Sequence, residues 1–179
     1  MNRIDPWGLL DYEAQLLGRT IPISINVGNY PSLEQEYKKR LGWAIENINK
    51  HKDKLSSEDI DILKNLVSIV VVKNSVAKRP FMDEICGKFT LNEDYIKDSS
   101  VEHIGSAMFH DSYHKYQYEK NGVYSFTQSR GLKAEEDAMK YQLEVGKKIG
   151  LMPHEQHHLE KIIKDPTLIE KYIHMHPTK

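Results

Sequence analysis

Two histidines on one predicted helix and a glutamate on the next constrain this chain more than any other feature. His110 and His114 are four residues apart, so on a helix they lie one turn apart on the same face and can present two imidazole nitrogens to one ion. Catalytic zinc usually takes three protein ligands and keeps a fourth position for water. Glu135 is placed on the following predicted helix to be the third ligand. The pattern predicts a zinc site between two helices that pack together.

Glu135 differs from the acidic residues beside it. At about 100° per residue, Glu135 lies on an apolar stripe of its helix, whereas Glu136 and Asp137 point away. The other residues of this stripe are Ala138, Met139, Gln142, Val145, Gly146 and Ile149. A carboxylate on an apolar face is unfavourable unless it is paired or bound to a metal. Metal ligation, or a bond to a histidine or tyrosine of the preceding helix, would explain it.

The helix that carries the histidines is predicted to be buried, because its apolar residues lie on more than one side. Ser99, followed three residues later by Glu102, is a capping-box pattern that predicts the start of this helix. The histidine face also carries His103, Ala107 and Gln117. Tyr113 and Tyr118 lie at its margins, where a tyrosine either stabilises a developing oxyanion or packs with its hydroxyl bonded.

The remaining pattern predicts an α+β fold, a mainly helical single domain with a small β element. At 179 residues the chain can bury roughly 70% of its unfolded surface. Further helices are predicted from Pro31, from Ser56 or Ser57, over 132–149 and 153–164, and from Asp165-Pro166. Strands are predicted over 88–92 and around Ile21–Ile25, the latter as an extended segment or edge strand that tolerates proline. The run 66–72 suits a buried helix end or a core strand.

Composition and charge exclude several classes of protein. With 25 basic and 26 acidic residues the formal net charge is -1, which gives no field to attract nucleic acid or an anionic membrane. No stretch approaches the roughly 18 apolar residues of a membrane helix, and the N-terminus lacks a signal-peptide pattern. The single cysteine, Cys86, excludes an intramolecular disulfide framework and a thiolate-rich zinc site. Next to Ile85, such a cysteine is expected to be a small buried hydrophobic residue.

The histidine pair and the later glutamate carry a family resemblance. His110-x-x-x-His114 followed by Glu135-x-x-Ala138 resembles the zincin metallopeptidases, which write these motifs as H-E-x-x-H and E-x-x-A. The resemblance covers about residues 88–150, including a strand before the active-site helix. It implies that His110, His114 and Glu135 bind Zn²⁺, and that the chain hydrolyses peptide bonds.

The resemblance departs from the family pattern at Asp111, where zincins have the glutamate that acts as general base. Aspartate is shorter by about 1.5 Å, the length of one C–C bond. Proton transfer requires hydrogen-bonding distance, so Asp111 would act through a second water or after an inward shift of the helix. In this interpretation Asp111 is the base, and Tyr113 or Tyr118 stabilises the oxyanion.

A second resemblance lies at the start of the chain. Residues Ile4-Asp5-Pro6-Trp7-Gly8-Leu9 resemble the D-P-x-G-L junction that closes the core of rearrangement-hotspot (RHS) proteins, beyond which a variable toxin domain begins. The resemblance implies a leader and extended segment over 1–30 and a metal-dependent toxin domain over 31–179. It also implies a secreted effector that is delivered into a target cell, with a peptide or protein substrate and a cognate immunity protein. The chain itself shows no signal peptide.

Other histidine groups in the sequence are weaker candidates for a metal site. A literal H-E-x-x-H occurs at His154-Glu155-Gln156-His157-His158, but Pro153 places it in the first turn of a polar helix with no strand before it. An acid in a first helical turn is favourable without any metal. His174 and His176 in the tail would bind metal only adventitiously, since chain ends are commonly disordered.

Two other functions remain open. The pair His110-Asp111 also occurs in HD-type phosphohydrolases, which are helical and metal-dependent. Such a site needs another histidine upstream and an aspartate downstream, for which His51 and Asp165 are the candidates. A non-enzymatic interaction module is the other alternative.

Overall fold

The computed structural model describes residues 3–4, 9–26, 31–73, 79–83, 85–121 and 131–174. Within these ranges six strands form one mixed sheet. The strands are β1 (Arg3–Ile4), β2 (Leu9–Leu16), β3 (Arg19–Asn26), β4 (Ser68–Val72), β5 (Phe81–Asp83) and β6 (Lys88–Asn92). Their order across the sheet is β1-β2-β3-β4-β6-β5. The pairs β3–β4 and β4–β6 are parallel, and the other three pairs are antiparallel.

Strands β2 and β3 form a hairpin through a two-residue turn. Both turn residues have positive φ angles, 51° at Leu17 and 83° at Gly18, as a type I′ turn requires. The segment around Pro22 is extended, as predicted, but strand β3 lies inside the sheet and not at its edge. Pro22 pairs with Glu13 of β2, and the ladder to β4 begins one residue later, at Ile23. A proline is accommodated because it lies beyond the end of that second ladder.

Seven α-helices lie in the described ranges. They are α1 (Pro31–Lys50), α2 (Ser57–Leu63), α3 (Glu93–Asp98), α4 (Val101–Asn121), α5 (Leu132–Lys148), α6 (Pro153–Lys164) and α7 (Pro166–His174), and a 3-10 turn spans Lys52–Lys54. Helix α1 contacts β2, β3 and α4, and α4 contacts α2, α5 and β5. Fully buried side chains of α1, α4 and the sheet share one core: Tyr37, Leu41, Ala44, Ile48, Phe89, Leu91, Ile104, Met108 and Phe109.

The combination of helices and sheet agrees with the predicted mixed class, but the sheet is larger than a small β element. Strands β1 and β5 have only two and three residues, too few for a periodic pattern. Residues 9–26, predicted as part of a leader and extended segment, form β2 and β3, and β3 hydrogen-bonds to β4. The ambiguous run 66–72 contains the core strand β4 rather than a helix end.

Two local predictions are wrong. Helix α4 is capped by Ser100, whose Oγ accepts a hydrogen bond from the His103 backbone N–H at 2.9 Å. Ser99 instead ends α3, and its N–H donates to the Tyr95 carbonyl. Cys86 is exposed, because it lies in the turn between β5 and β6.

Among the described helices, none is long and apolar enough to cross a membrane.

Candidate metal centre

Helices α4 and α5 pack closely enough to bring their polar side chains together. Residues 104–112 of α4 are all buried, as expected for a helix with apolar residues on several sides. Gly105 permits the approach, because a Cβ at this position would lie 3.2 Å from Ile149 Cδ1 and 3.4 Å from Ile48 Cγ1. The predicted burial of the histidine helix is therefore confirmed.

His110, His114 and Glu135 meet between the two helices. The two Nε2 atoms are 3.1 Å apart. Glu135 directs one oxygen to each histidine: Oε1 lies 3.3 Å from His110 Nε2, and Oε2 lies 3.1 Å from His114 Nε2. In the described part of the chain, this is the one group of three histidine, cysteine or acidic side chains whose ligand atoms converge closely enough to hold a metal ion.

These separations are compatible with tetrahedral ligation of one metal ion. Tetrahedral ligands about 2.0–2.1 Å from zinc lie roughly 3.3–3.4 Å from one another. The three observed separations, 3.1, 3.3 and 3.1 Å, are close to that spacing. His110 Nε2 and Glu135 Oε1 lie near each other without a hydrogen bond to Oε1. A direct bond between these two atoms therefore does not explain why they converge.

Gln117 fixes which nitrogen of His114 carries a proton. The Gln117 side-chain N–H donates to the Ala134 carbonyl at 3.3 Å, which orients the amide oxygen toward His114. That oxygen accepts only, so the His114 Nδ1–H donates to it at 3.1 Å. Nε2 of a neutral His114 then presents its lone pair to the carboxylate, which is the tautomer that metal ligation needs.

The pKa values of Glu135 and His114 shift in opposite directions. Burial on its own raises the pKa of Glu135, but the two histidines outweigh this and hold that pKa well below its usual value. Burial lowers the pKa of His114, and the carboxylate of Glu135 reverses this and raises it. Glu135 is thus an anion in the folded protein, and a proton or another cation is favoured beside it.

Asp111 is buried next to the triad on α4. After the larger effect of burial, its charge contributes to the raised pKa values of Tyr95 and Tyr172. The Asp111 charge also raises the pKa of His114, by less than the charge of Glu135 does. The predicted base therefore lies close to the two histidines and to the phenols of Tyr95 and Tyr172.

Tyr113 is placed in an aromatic cluster. Its ring stacks on Tyr141 with 4.6 Å between centroids, and Tyr116 lies 5.8 Å away. The Tyr141 hydroxyl in turn donates to Asp59 at 3.1 Å. These contacts are those of a packing residue, the alternative that the sequence leaves open for Tyr113. Tyr118 is partly buried one turn beyond His114.

Two residues near the triad were missed by sequence reasoning. The Tyr172 ring, on α7, lies 6.3 Å from the His110 ring, and the Arg79 guanidinium carbon lies 3.1 Å from the centre of the Tyr172 ring. Burial raises the pKa of Tyr172 to about 12. Neither residue shares a local motif with the histidines, so only long-range packing reveals them.

The alternative ligands do not join the triad. His154 and His158 are exposed on α6, and Glu155 accepts a hydrogen bond from the Met152 backbone N–H at 3.1 Å, as expected at a helix start. His51 lies 3.0 Å from the Asn47 carbonyl, and Asp165 accepts hydrogen bonds from Thr167 at the start of α7. The side chain of His174 and all of His176 lie outside the described residues.

Comparisons of this chain with known protein families, with curated proteins and with solved structures give no match. Asp5 to Gly8, the middle of the segment that resembles an RHS junction, lie outside the described residues. The functional interpretation therefore depends on the geometry of the site and on the sequence motifs.

Proposed function

We propose that this chain is a zinc-dependent hydrolase that cleaves peptide bonds, and that it serves as the toxin domain of an RHS-type effector. The observation that carries the hydrolase proposal is the convergence of His110 Nε2, His114 Nε2 and the Glu135 carboxylate within about one ligand spacing of each other. The H-x-x-x-H and E-x-x-A spacings support the peptidase class. The terminal D-P-x-G-L pattern supports the toxin assignment.

A metal ion explains the triad better than a buried ion pair. Because Gln117 holds the proton of His114 on Nδ1, a proton or a metal ion must lie between His114 Nε2 and the carboxylate. Protons alone leave the group incompletely satisfied, because Glu135 Oε1 is buried without a hydrogen bond although His110 Nε2 lies 3.3 Å away. One divalent ion satisfies all three ligand atoms at once and compensates the buried charge.

The protein residues divide the chemistry between them. Zinc, when bound, lowers the pKa of a coordinated water toward about 7. His110, His114 and Glu135 would hold the ion, and Gln117 would orient His114. Asp111 would accept the proton of the attacking water, and burial of the site would strengthen these electrostatic interactions. A toxin of this kind requires a cognate immunity protein, which follows from the RHS resemblance.

Asp111→Asn tests the assignment because it preserves size and removes the base. Expression of the unaltered chain inside a susceptible cell should be harmful, and this variant should relieve the harm with one zinc still bound per chain. Hydrolysis of a denatured protein substrate should fall by about 100-fold or more, the scale of general base catalysis. Asp137→Asn on α5 is the matched control and should remain toxic. Full toxicity of Asp111→Asn with zinc in place would exclude Asp111 as the base.

Elemental analysis of the purified protein separates the alternatives. One tightly held zinc per chain agrees with the proposal, and zinc without any hydrolysis would indicate an interaction module. Two metal ions, or manganese or iron, would favour the HD-type phosphohydrolase. The positions of His51 and Asp165 give that alternative no support, because their hydrogen bonds are to other groups.

A further inference from the structure

A partly buried cluster that contains one arginine lies beside the proposed metal centre. It consists of Arg79, Tyr95, His103 and Tyr172, and we call it the Arg79 cluster. The guanidinium carbon of Arg79 lies 3.1 Å from the centre of the Tyr172 ring, and the His103 ring lies 5.8 Å from that of Tyr95. The Arg79 charge opposes the rise that burial causes in the pKa of both tyrosines. The cluster thus joins the segment before β5 to α3, α4 and α7.

Two nitrogen atoms of the cluster have unmet hydrogen-bonding capacity. Arg79 Nη1 and His103 Nδ1 are buried, and neither has a hydrogen-bond partner among the described residues. A buried donor without an acceptor is unfavourable. A bound ligand or ion is one way in which such a group obtains a partner.

The geometry of Arg79 indicates the chemistry of that ligand. The Tyr172 ring covers one face of the planar guanidinium, whereas the N–H donors lie in its plane and point outward from its edge. An edge of this kind matches the two oxygens of a carboxylate. His103 Nδ1 offers a further donor when that nitrogen is protonated.

The position of the cluster relates it to the metal centre. Tyr172 neighbours both residues, with 3.1 Å from its ring centre to the Arg79 guanidinium carbon and 6.3 Å to the centre of the His110 ring. The guanidinium carbon therefore lies no more than about 9.4 Å from the His110 ring centre, and about three extended residues, at about 3.5 Å each, span that distance. A group bound at Arg79 and a peptide bond at the triad can therefore belong to one short peptide.

We propose that the Arg79 cluster binds a carboxylate of the peptide substrate, close to the bond that is cleaved, an assignment that rests on the proposed peptidase function. Two carboxylates have this chemistry: the C-terminus of a peptide and the side chain of an acidic residue. A C-terminal carboxylate would make the protein a carboxypeptidase-like enzyme. An acidic side chain would make it an endopeptidase selective for acidic residues.

Calorimetric binding of three short peptides to the metal-free full chain tests the proposal without hydrolysis. The probes are acetyl-Ala-Ala-Ala with a free carboxylate, the same peptide as its C-terminal amide, and acetyl-Ala-Asp-Ala amide. We expect at least one carboxylate peptide to bind about 10-fold or more tightly than the neutral amide, as two charge-assisted hydrogen bonds allow. The better of the two identifies the source of the carboxylate. Equal affinity for all three would overturn the proposal.

Substitutions of Arg79 test whether this residue causes the preference for the carboxylate peptide. Arg79→Met should abolish the preference for the carboxylate, and Arg79→Lys should retain part of it, because lysine keeps the charge and loses the fork. Lys171→Met, which removes an exposed cation from the same helix as Tyr172, should leave the preference unchanged. A folded Arg79→Met protein that keeps the preference would overturn the assignment, and if this variant does not fold, an undiminished preference in Arg79→Lys would do so. Zinc content tests the metal site separately, since Arg79 is not a ligand.

Discussion

Helices α4 and α6 each carry two histidines four residues apart, and only those of α4 converge with a third ligand. His110 and His114 lie in a helix whose middle is buried, and Glu135 reaches them from α5. His154 and His158 are exposed, and the glutamate between them bonds the start of its own helix. The second segment matches the H-E-x-x-H letters better, although it lacks the geometry. Burial and an approaching acidic side chain therefore select the α4 pair as the candidate metal site, whereas the letters of the motif favour the α6 pair.

The largest effect is expected from the histidines themselves. His110→Ala and His114→Ala should each abolish stoichiometric zinc binding, because two remaining ligands do not hold zinc tightly. His154→Ala and His158→Ala should leave one zinc per chain. Elemental analysis after dialysis against a weak chelator measures the difference. Retention of zinc in both α4 variants, together with its loss in the α6 pair, would reverse the comparison.

The contribution of α5 is expected to be smaller than that of the histidines. Glu135→Gln preserves volume and removes the charge, so it should lower zinc affinity by about 10-fold or more, a scale reached even by residues that only orient ligands. Glu136→Gln is the matched control, because Glu136 pairs with Lys140 on the outer side of α5. Competition with a fluorescent zinc chelator gives both affinities. An unchanged affinity in Glu135→Gln would leave α4 with two histidines and no third ligand.

Gln117 sharpens the comparison, since the structure assigns it an orienting role. Gln117→Leu removes the acceptor of the His114 Nδ1–H and should lower zinc affinity by about 10-fold, the lower end of the range for such residues. Gln117→Glu restores an acceptor and should recover most of the affinity. Gln156→Leu on α6 is the control, because Gln156 bonds the Leu151 carbonyl away from the triad. Equal losses in the leucine and glutamate variants would show that Gln117 has only a packing role.

The smallest effect concerns the stability of the zinc-free protein as a function of pH. The depressed pKa of Glu135 contributes stability above its unfolded value, which is lost as pH falls through the folded pKa. The raised pKa of His114 contributes stability below its unfolded value near 6.5, which is lost as pH rises through the folded pKa. Urea unfolding with a chelator present should therefore show declining stability on the alkaline side, and Glu135→Gln should weaken that decline. If Glu135→Gln loses stability on the alkaline side as steeply as the unaltered protein, the decline does not come from the interaction of Glu135 with His114.

Much of the candidate site follows from local pattern, and part of it does not. The triad is predictable because helical spacing fixes which side chains share a face, and because an acid on an apolar stripe is conspicuous. Tyr113 shows the limit of this reasoning: its place at the margin of the histidine face agrees with an oxyanion role, yet its ring stacks on Tyr141. Helical periodicity gives the direction of a side chain and leaves its neighbour from another helix undetermined.

By itself, the sequence determined most of the helices, the strand β6, the buried character of α4 and the selection of Glu135 over Glu136. These depend on interactions within a few residues, such as capping, proline placement and amphipathic spacing. Tertiary structure alone decided the sheet order, the interior position of β3, the orientation of His114 by Gln117 and Ala134, and the position of Tyr172 next to both Arg79 and His110. Those features join residues that are distant along the chain, and the packing of the whole core selects them.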